Sequence, residues 1–452
     1  MNILVLNGSP KGEYSITLHT CLYLQKKYPE HNFEVLHAGQ KIKAIERDFS
    51  QSAELIKNAD VLLFSYPVYT FIATCQLHRF IELMKEHNID VKGKIATQIT
   101  TSKHFYDVTA HRYIQENCDD MGMHYVRGLS ADMDDLTTEK GRKEAESFFE
   151  HFIWCCEKKY FEKPAAEKYE FTPVPATALE NNDEGKSGNV VIVADYTEDN
   201  EQLKNMISRF RAKLPVKTRV INIREYPFKG GCLGCFRCAS DGVCVYKDGF
   251  DSFLRNEIQT ADAIIYAFGI KDHSMGSVFK MYDDRQFCNG HRTVTIGMPV
   301  GYLISGKYAA EINLQTILEG RAQVGGNILA GIATDECNTD YEIDKLADSL
   351  DYAIRSKNTQ PQNFYGVGGM RIFRDLIYQM RGLMKADHKF FKSHGQYDFP
   401  QKKKGITMLM YLVGAMNASP AMRAKMGNKM NEGMVMPYRM LLDKMDKNKD
   451  KE

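Results

Sequence analysis

Asn58-Ala-Asp-Val-Leu-Leu-Phe-Ser65 returns later in the chain as Thr260-Ala-Asp-Ala-Ile-Ile-Tyr-Ala267. Each stretch is an Ala-Asp turn followed by an unbroken apolar run, the pattern of a parallel strand buried on both faces. Around the first copy, Ile3-Leu6, Phe33-Leu36, Ile95-Thr100 and Tyr125-Gly128 read as further strands. Ser15-Lys27, Ser50-Lys57, Thr74-His87, Val108-Asp120 and Glu139-Glu157 read as the helices between and after them. Around the second copy the alternation repeats: strand Val190-Ala194, helix Asn200-Lys213, strand Thr218-Ile223, helix Phe250-Thr260, strand Thr293-Ile296, then a strand near Asn327-Ala333 and a helix near Tyr341-Arg355. Regular β-α alternation predicts a parallel sheet with helices on both faces, and the recurring octapeptide predicts that the unit is duplicated. The expected fold is therefore α/β, with two doubly wound domains over residues 1–158 and 189–357. A linker with Pro164, Pro173 and Pro175 joins them over 159–188, and an extension without strand signals follows over 358–452.

At 452 residues the chain exceeds one compact core. Its 59 basic and 58 acidic residues leave a net charge of +1, which excludes a generic nucleic-acid binder. The N-terminus opens directly into a strand, so no signal peptide is expected. The longest apolar stretch, Ile406 to Met416, is well short of the ~20 residues that span a bilayer, so no transmembrane segment is expected. A cytoplasmic location follows from both, and eleven cysteines there argue for thiols, metal ligands or redox chemistry over structural disulfides.

The loop Asn7-Gly8-Ser9-Pro10-Lys11-Gly12-Glu13-Tyr14-Ser15-Ile16-Thr17 leaves the first strand and enters the first helix, where open α/β sheets bind ligands. Unpaired N–H groups and the helix dipole favour a phosphate there, with Ser9, Ser15 and Thr17 adding hydroxyls and Lys11 a charge. The loop matches neither a Walker loop nor the Gly-x-Gly-x-x-Gly dinucleotide turn. After the third strand, Tyr66-Pro67-Val68-Tyr69-Thr70-Phe71 offers a surface for an isoalloxazine ring. After the fourth, Thr100-Thr101-Ser102-Lys103-His104-Phe105 offers polar donors, with Thr101, Ser102 and His104 as candidates. In the second domain the matching phosphate loop is Ala194-Asp195-Tyr196-Thr197-Glu198-Asp199-Asn200, whose three carboxylates oppose an anion.

Cys232, Cys235, Cys238 and Cys244 form C-x2-C-x2-C-x5-C beside Gly230, Gly231 and Gly234. Successive spacings of three resemble ferredoxin-type ligation of a 4Fe–4S cluster. Structural zinc, usually held by two separated C-x2-C pairs, is the second choice, and free thiols or a redox disulfide the third. The matching stretch of the first domain, His37 to Ser50, has no cysteine and reads as a short Ala-Gly-Gln-Lys loop.

Gly8-Ser9-Pro10-Lys11 with Ser15-Ile16-Thr17, followed by Pro67-Val68-Tyr69, resembles the NADPH-dependent FMN reductase and iron-sulfur flavoprotein family of flavodoxin-like proteins. The resemblance covers roughly residues 1 to 355. It implies that Ser9, Lys11, Ser15, Ile16 and Thr17 hold an FMN phosphate, that Pro67, Val68, Tyr69, Thr70 and Phe71 flank the ring, and that the four cysteines occupy the family's cluster motif. Ser274-Met275-Gly276-Ser277-Val278-Phe279-Lys280 with Asp284-Arg285 resembles the segment after the ring loop. Thr70, Phe71 and Ile72 depart from the family's small residues.

The expected function is an oxidoreductase passing electrons from NAD(P)H through FMN, and through the cluster, to a small acceptor such as a quinone or a nitro or azo compound. The competing readings are a ferredoxin-linked electron carrier without a nicotinamide site and a zinc-stabilised binding module. One FMN in the first domain and one cluster in the second, paired across an internal pseudo-twofold axis, is the arrangement the two halves suggest, and the resemblance implies a homo-oligomer. Ten of the 22 methionines follow position 400, where a lid, a dimer interface, a helix on lipid and simple packing all compete. The run Lys444 to Glu452 is expected to be disordered.

Overall fold

The apolar runs pair side by side in two parallel sheets, described here from a computed structural model for residues 1–165, 170–421 and 429–449. The first sheet uses β1 (Asn2–Asn7), β2 (Asn32–Leu36), β3 (Val61–Pro67), β4 (Ile95–Ser102), β5 (His124–Tyr125) and β6 (Leu129–Asp132). Its order is β2-β1-β3-β4-β5, with β6 also on β4. The second uses β7 (Ser187–Asp195), β8 (Val216–Asn222), β9 (Ala263–Gly269), β10 (Pro299–Ser305) and β11 (Ile328–Thr334), in the order β8-β7-β9-β10-β11. Both sheets thus have the 2-1-3-4-5 order of the flavodoxin-like doubly wound fold. The two recurring octapeptides are central: Leu62, Leu63 and Phe64 of β3 and Ile264, Ile265 and Phe268 of β9 are buried.

Several elements differ from the sequence expectation. The strand expected at Thr293–Ile296 lies instead at Pro299–Ser305. Pro299 occupies the first strand position, where a missing N–H costs least. Gly301 is fitted between neighbours, since a Cβ there would lie 2.9 Å from both Ile265 and Leu346. The loop expected after His37 is a helix, Ala38–Arg47, whose Gly39 masks its helical character. A Cβ at Gly39 would come within 2.3 Å of the Gly8 carbonyl oxygen, so the glycine allows this helix to lie against the phosphate loop. Phe250–Phe253 is a single α turn continued by a π turn, Leu254–Ile258. Residues Lys444 to Lys449 end a helix, Lys429–Lys449, while 450–452 lie outside the described residues.

The two halves face each other through the same element. The helix Cys75–Glu86 after β3 packs on the helix Gly276–Arg285 after β9. Each is preceded by the same tight turn. Tyr69 and Ile72 exchange backbone hydrogen bonds of 2.9 and 3.1 Å, as do Lys271 and Ser274 at 2.9 and 3.1 Å. The central residues of both turns are left-handed, with φ of +40° and +75° at Thr70 and Phe71 and of +53° and +63° at Asp272 and His273. Non-glycine residues rarely adopt this conformation, and it recurs here at corresponding places, after β3 and after β9. One apolar core runs through the contact, with Leu77, Phe80 and Met84 from the first half and Phe268, Phe279 and Leu314 from the second.

The chain divides into two compact units, Met1–Phe391 and Lys392–Glu452. The first contains both sheets, the helix Phe364–Gln379 and the helix Lys385–Ser393 as far as Phe391; Ile377 and Phe391 are fully buried. The second holds the helices Lys404–Asn417 and Lys429–Lys449. No helix among the described residues is long and apolar enough to cross a membrane.

Candidate functional site

The loop after β1 is built around its own polar side chains. Asn7 donates to the Gly12 carbonyl at 2.9 Å and accepts from the Ser9 N–H at 3.2 Å, while the Ser9 hydroxyl accepts from the Lys11 N–H at 3.3 Å. Ser15 caps the helix Ile16–Lys27 by accepting from the Leu18 N–H. The first-turn N–H groups of Ile16 and Thr17 have no intrahelical partner available to them and point out of the helix end. Thr17 and Thr101 share a hydroxyl hydrogen bond of 2.6 Å, joining the loops after β1 and β4. Thr74 at the end of the ring loop donates to the Gly8 carbonyl at 2.8 Å. The three loops are therefore fastened to one another by buried hydroxyls.

These loops open on one cavity of about 200 Å³ in the Met1–Phe391 unit. Ser9, Lys11, Ser15, Ile16, Thr17, Pro67, Val68, Tyr69, Thr70, Thr101 and Ser102 all line it. Cys232, Cys235, Cys238 and Cys244, from the second half, line the same cavity. Two candidates lie elsewhere. Phe71 turns its ring into the core against Phe105 and Tyr106 and borders a neighbouring cavity. His104 is exposed, pairs with Asp107 at 2.8 Å and borders a separate pocket near Ser130. The left-handed turns at Phe71 and His104 reverse which way each side chain points, and sequence spacing does not show this.

Glycines allow the cysteine loop to reach the flavodoxin-like half. A Cβ at Gly231 would lie 2.1 Å from the Cys75 sulfur, and one at Gly234, where φ is +61°, would lie 1.8 Å from the Tyr69 hydroxyl. Gln76 donates to the Cys232 carbonyl at 3.3 Å. The Lys11 ammonium stands 5.6 Å from the Phe236 ring centre, and Tyr69 meets Phe287 edge-on at 6.1 Å. Burial lowers the pKa of Lys11, opposed by the nearby thiols of Cys235 and Cys232. Burial likewise pushes the Cys238 thiol up to about 11 and holds Cys232 and Tyr69 well above their ordinary values.

The described residues that line the cavity include the basic side chains Lys11, Lys103, Arg285 and His291 and no carboxylate. Lys103 is committed to Asp132 and Asp134 at 2.6 and 2.9 Å. Arg285 is buried, grips Asp248 through both terminal nitrogens at 2.9 and 2.8 Å, and reaches the Cys244 sulfur at 3.9 Å. His291 and Arg292 are tied to the buried Asp387 at 2.9 and 3.1 Å. The opposite wall is apolar, formed by Ile372, Phe373 and Leu376 of the helix Phe364–Gln379, with Phe373 stacked on Phe105 at 4.5 Å.

The sequence reading missed this wall, His291 and Cys288. Cys288 lies near Cys238 and Cys244, and burial pushes its thiol up to about 12. Only its place three residues after Arg285 hinted at a role. The apolar spacing Ile372-Phe373-Leu376 fits a packed helix, but nothing local shows which surface that helix covers.

The chain before β7 is hydrogen-bonded to loops and helices of the second half. Val174 donates its N–H to the Asp335 carbonyl at 2.8 Å and accepts at its own carbonyl from Gln202 at 2.9 Å and Thr339 at 2.8 Å, at the entrance of the helix Glu201–Lys213. Asp195 is nearly buried and pairs with Arg224 at 2.5 Å. The 174–177 segment is thus hydrogen-bonded at the start of the helix that follows β7, next to a turn that carries Asp195, Glu198 and Asp199.

The family model described as NADPH-dependent FMN reductase matches residues 1–134. No curated protein matches the chain. Solved structures similar to it include an NADPH-quinone reductase from P. pentosaceus, 12% identical over 34% of this chain and 97% of its own, with a TM-score of 0.28. A general stress protein 14 from Treponema denticola in complex with FMN is 11% identical over 34% of this chain and 98% of its own, with a TM-score of 0.28. A mutant flavodoxin from Pseudomonas aeruginosa is 14% identical over 35% and 99%, with a TM-score of 0.26.

Proposed function

We propose that the protein is an NAD(P)H-dependent flavin oxidoreductase that holds one FMN in its first half and passes electrons to a 4Fe–4S cluster on Cys232, Cys235, Cys238 and Cys244. The observation that carries this reading is the shared cavity, which brings the phosphate loop, the ring loop and four cysteines of the other half to one space. The residues present suit FMN. An end of hydroxyls, helix N–H groups and Lys11 suits a phosphate dianion, and the Pro67-Val68-Tyr69 ledge facing Phe373 and Leu376 suits a flat apolar ring. FMN supplies two-electron and one-electron chemistry when bound.

The chain's own residues do the rest. Thr17 and Thr101 fix the phosphate end, Gly234 lets the cysteine loop touch Tyr69, and the apolar helix wall keeps water from the ring site. Arg285, held by Asp248, stands beside Cys244 and helps fix its place in the cavity wall. Sulfurs around one zinc ion at 2.3 Å stand about 3.8 Å apart. No three of these sulfurs lie within 4.8 Å of one another, so they do not stand at the spacing of ligands around one zinc ion in this structure. The acceptor is a small, flat, largely apolar molecule such as a quinone or a nitro or azo compound, in keeping with that wall.

Anaerobic purification with flavin, iron and sulfide analysis tests the assignment. The expected result is one FMN per chain, with iron lost and flavin kept in Cys235→Ser/Cys238→Ser, and rapid bleaching of the flavin by NADPH or NADH. Two FMN per chain, or iron that survives both replacements, would overturn it. Bleaching by reduced ferredoxin alone would remove the nicotinamide step.

A further inference from the structure

The surface of the Lys392–Glu452 unit is unusual for a protein in water. The helix Lys404–Asn417 reads Lys-Gly-Ile-Thr-Met-Leu-Met-Tyr-Leu-Val-Gly-Ala-Met-Asn, apolar on every side. Ile406 is 58%, Met408 69%, Leu409 53%, Tyr411 79% and Leu412 57% exposed, so no single face is spared. The helix Lys429–Lys449, which also carries charged residues, exposes Met434 at 69% and Leu441 at 58%. A helix that is hydrophobic all round belongs in an apolar medium. Fourteen residues rise only about 21 Å, short of the roughly 30 Å of a bilayer's hydrocarbon, so the helix can enter a membrane surface but not cross it.

Charge identifies the medium. Lys402, Lys403 and Lys404 stand immediately before the apolar helix, and no charged residue occurs from Gly405 to Met422. From 392 to 452 there are twelve Lys and Arg against six Asp and Glu, although the whole chain is nearly neutral. Apolar side chains with a flanking lysine cluster match the two layers of an anionic bilayer surface, acyl chains below and negative head groups above.

We infer that the Lys392–Glu452 unit is a peripheral anchor that binds anionic phospholipid surfaces. Leu409, Tyr411 and Leu412 enter the acyl region, and Lys402 to Lys404 contact lipid phosphates. This rests on the unit's own sequence and exposure and does not require the flavin assignment.

The test is sedimentation of the full-length protein with vesicles of phosphatidylcholine alone or mixed with phosphatidylglycerol. The expected result is co-sedimentation with the phosphatidylglycerol vesicles, released by raised salt and weakened about tenfold or more in either Leu409→Asp/Leu412→Asp or Lys402→Glu/Lys403→Glu/Lys404→Glu. Both variants should retain the thermal unfolding of the Met1–Phe391 unit. Failure to sediment with phosphatidylglycerol vesicles at low salt, or undiminished sedimentation of the aspartate variant, would overturn the inference. So would a doubled solution mass that the aspartate variant halves without any vesicle binding, which would show a second copy to be the occupant.

Discussion

At the scale of single residues, the contact between the halves depends on buried charges whose partners come from both. Lys280 and Asp284 have no exposed side-chain surface and pair with each other. Lys280 also donates to the Thr70 hydroxyl at 2.5 Å and the Tyr69 carbonyl at 3.1 Å, and Asp284 accepts from Thr70 and from the Cys75 N–H at 2.6 and 2.8 Å. Lys280→Met leaves a buried carboxylate without its cation and should cost about 3 kcal/mol in chemical denaturation. His273 lies between Asp120 at 3.0 Å on the helix Asp107–Asp120 and Glu311 at 3.0 Å, with Glu116, Lys85 and Asp272 close by. Burial opposes its charge, but hydrogen bonds to Asp120 and Glu311 win and raise its pKa from 6.5 to about 9. The folded state therefore binds the proton more tightly than the unfolded chain. The stabilisation is complete below pH 6.5 and lost as pH rises through about 9, and amounts to about 3 kcal/mol. Urea titrations across this window should show stability falling with pH in the native protein and a flatter profile in His273→Asn.

Among the elements, those with one strong local signal were legible in sequence and those shaped by a neighbour were not. The runs at β1, β3, β4, β7 and β9 could be read because a parallel strand covered on both faces must be apolar throughout. The helix Ala38–Arg47 was hidden by Gly39, and β10 by Pro299 and Gly301, because these residues answer to close packing and not to local propensity. Gly39→Ala should drive a methyl group into the Gly8 carbonyl, move the phosphate loop, and destabilise by about 1–3 kcal/mol in thermal melts. The cysteine loop provides a gentler case. Gly234→Ala strains a left-handed residue and presses on the Tyr69 hydroxyl, so it should weaken FMN retention several-fold in equilibrium dialysis while shifting the melting midpoint little. Retention equal to that of the native protein would show that the contact between the loops does not shape the ring site. Within the candidate site, Ser9 through Thr17 were legible because a strand-to-helix turn sets its own geometry. Phe71 and His104 were misplaced because left-handed backbone at each redirects the side chain.

At the scale of the molecule, a core shared by both sheets and a buried polar seam make the Met1–Phe391 unit behave as one body. Calorimetry should show a single cooperative transition for it instead of one per half, and Lys280→Met should lower that whole transition. Two separate transitions would show that the halves are stable independently. The sequence by itself determined the doubly wound class, and it marked the turn after β1 and the stretch Cys232 to Cys244 as the places to look for a site. Each of these is written in a period, a turn or a spacing that spans few residues. Only the tertiary structure decided that the cysteines of one half line the same cavity as the phosphate loop of the other. It also decided that Ile372, Phe373 and Leu376 line that cavity and that Val174 is hydrogen-bonded to Asp335. The physical reason is that these contacts join parts of the chain far apart in sequence. Which surfaces meet there depends on how two sheets and their helices pack, and no local pattern of residues records it.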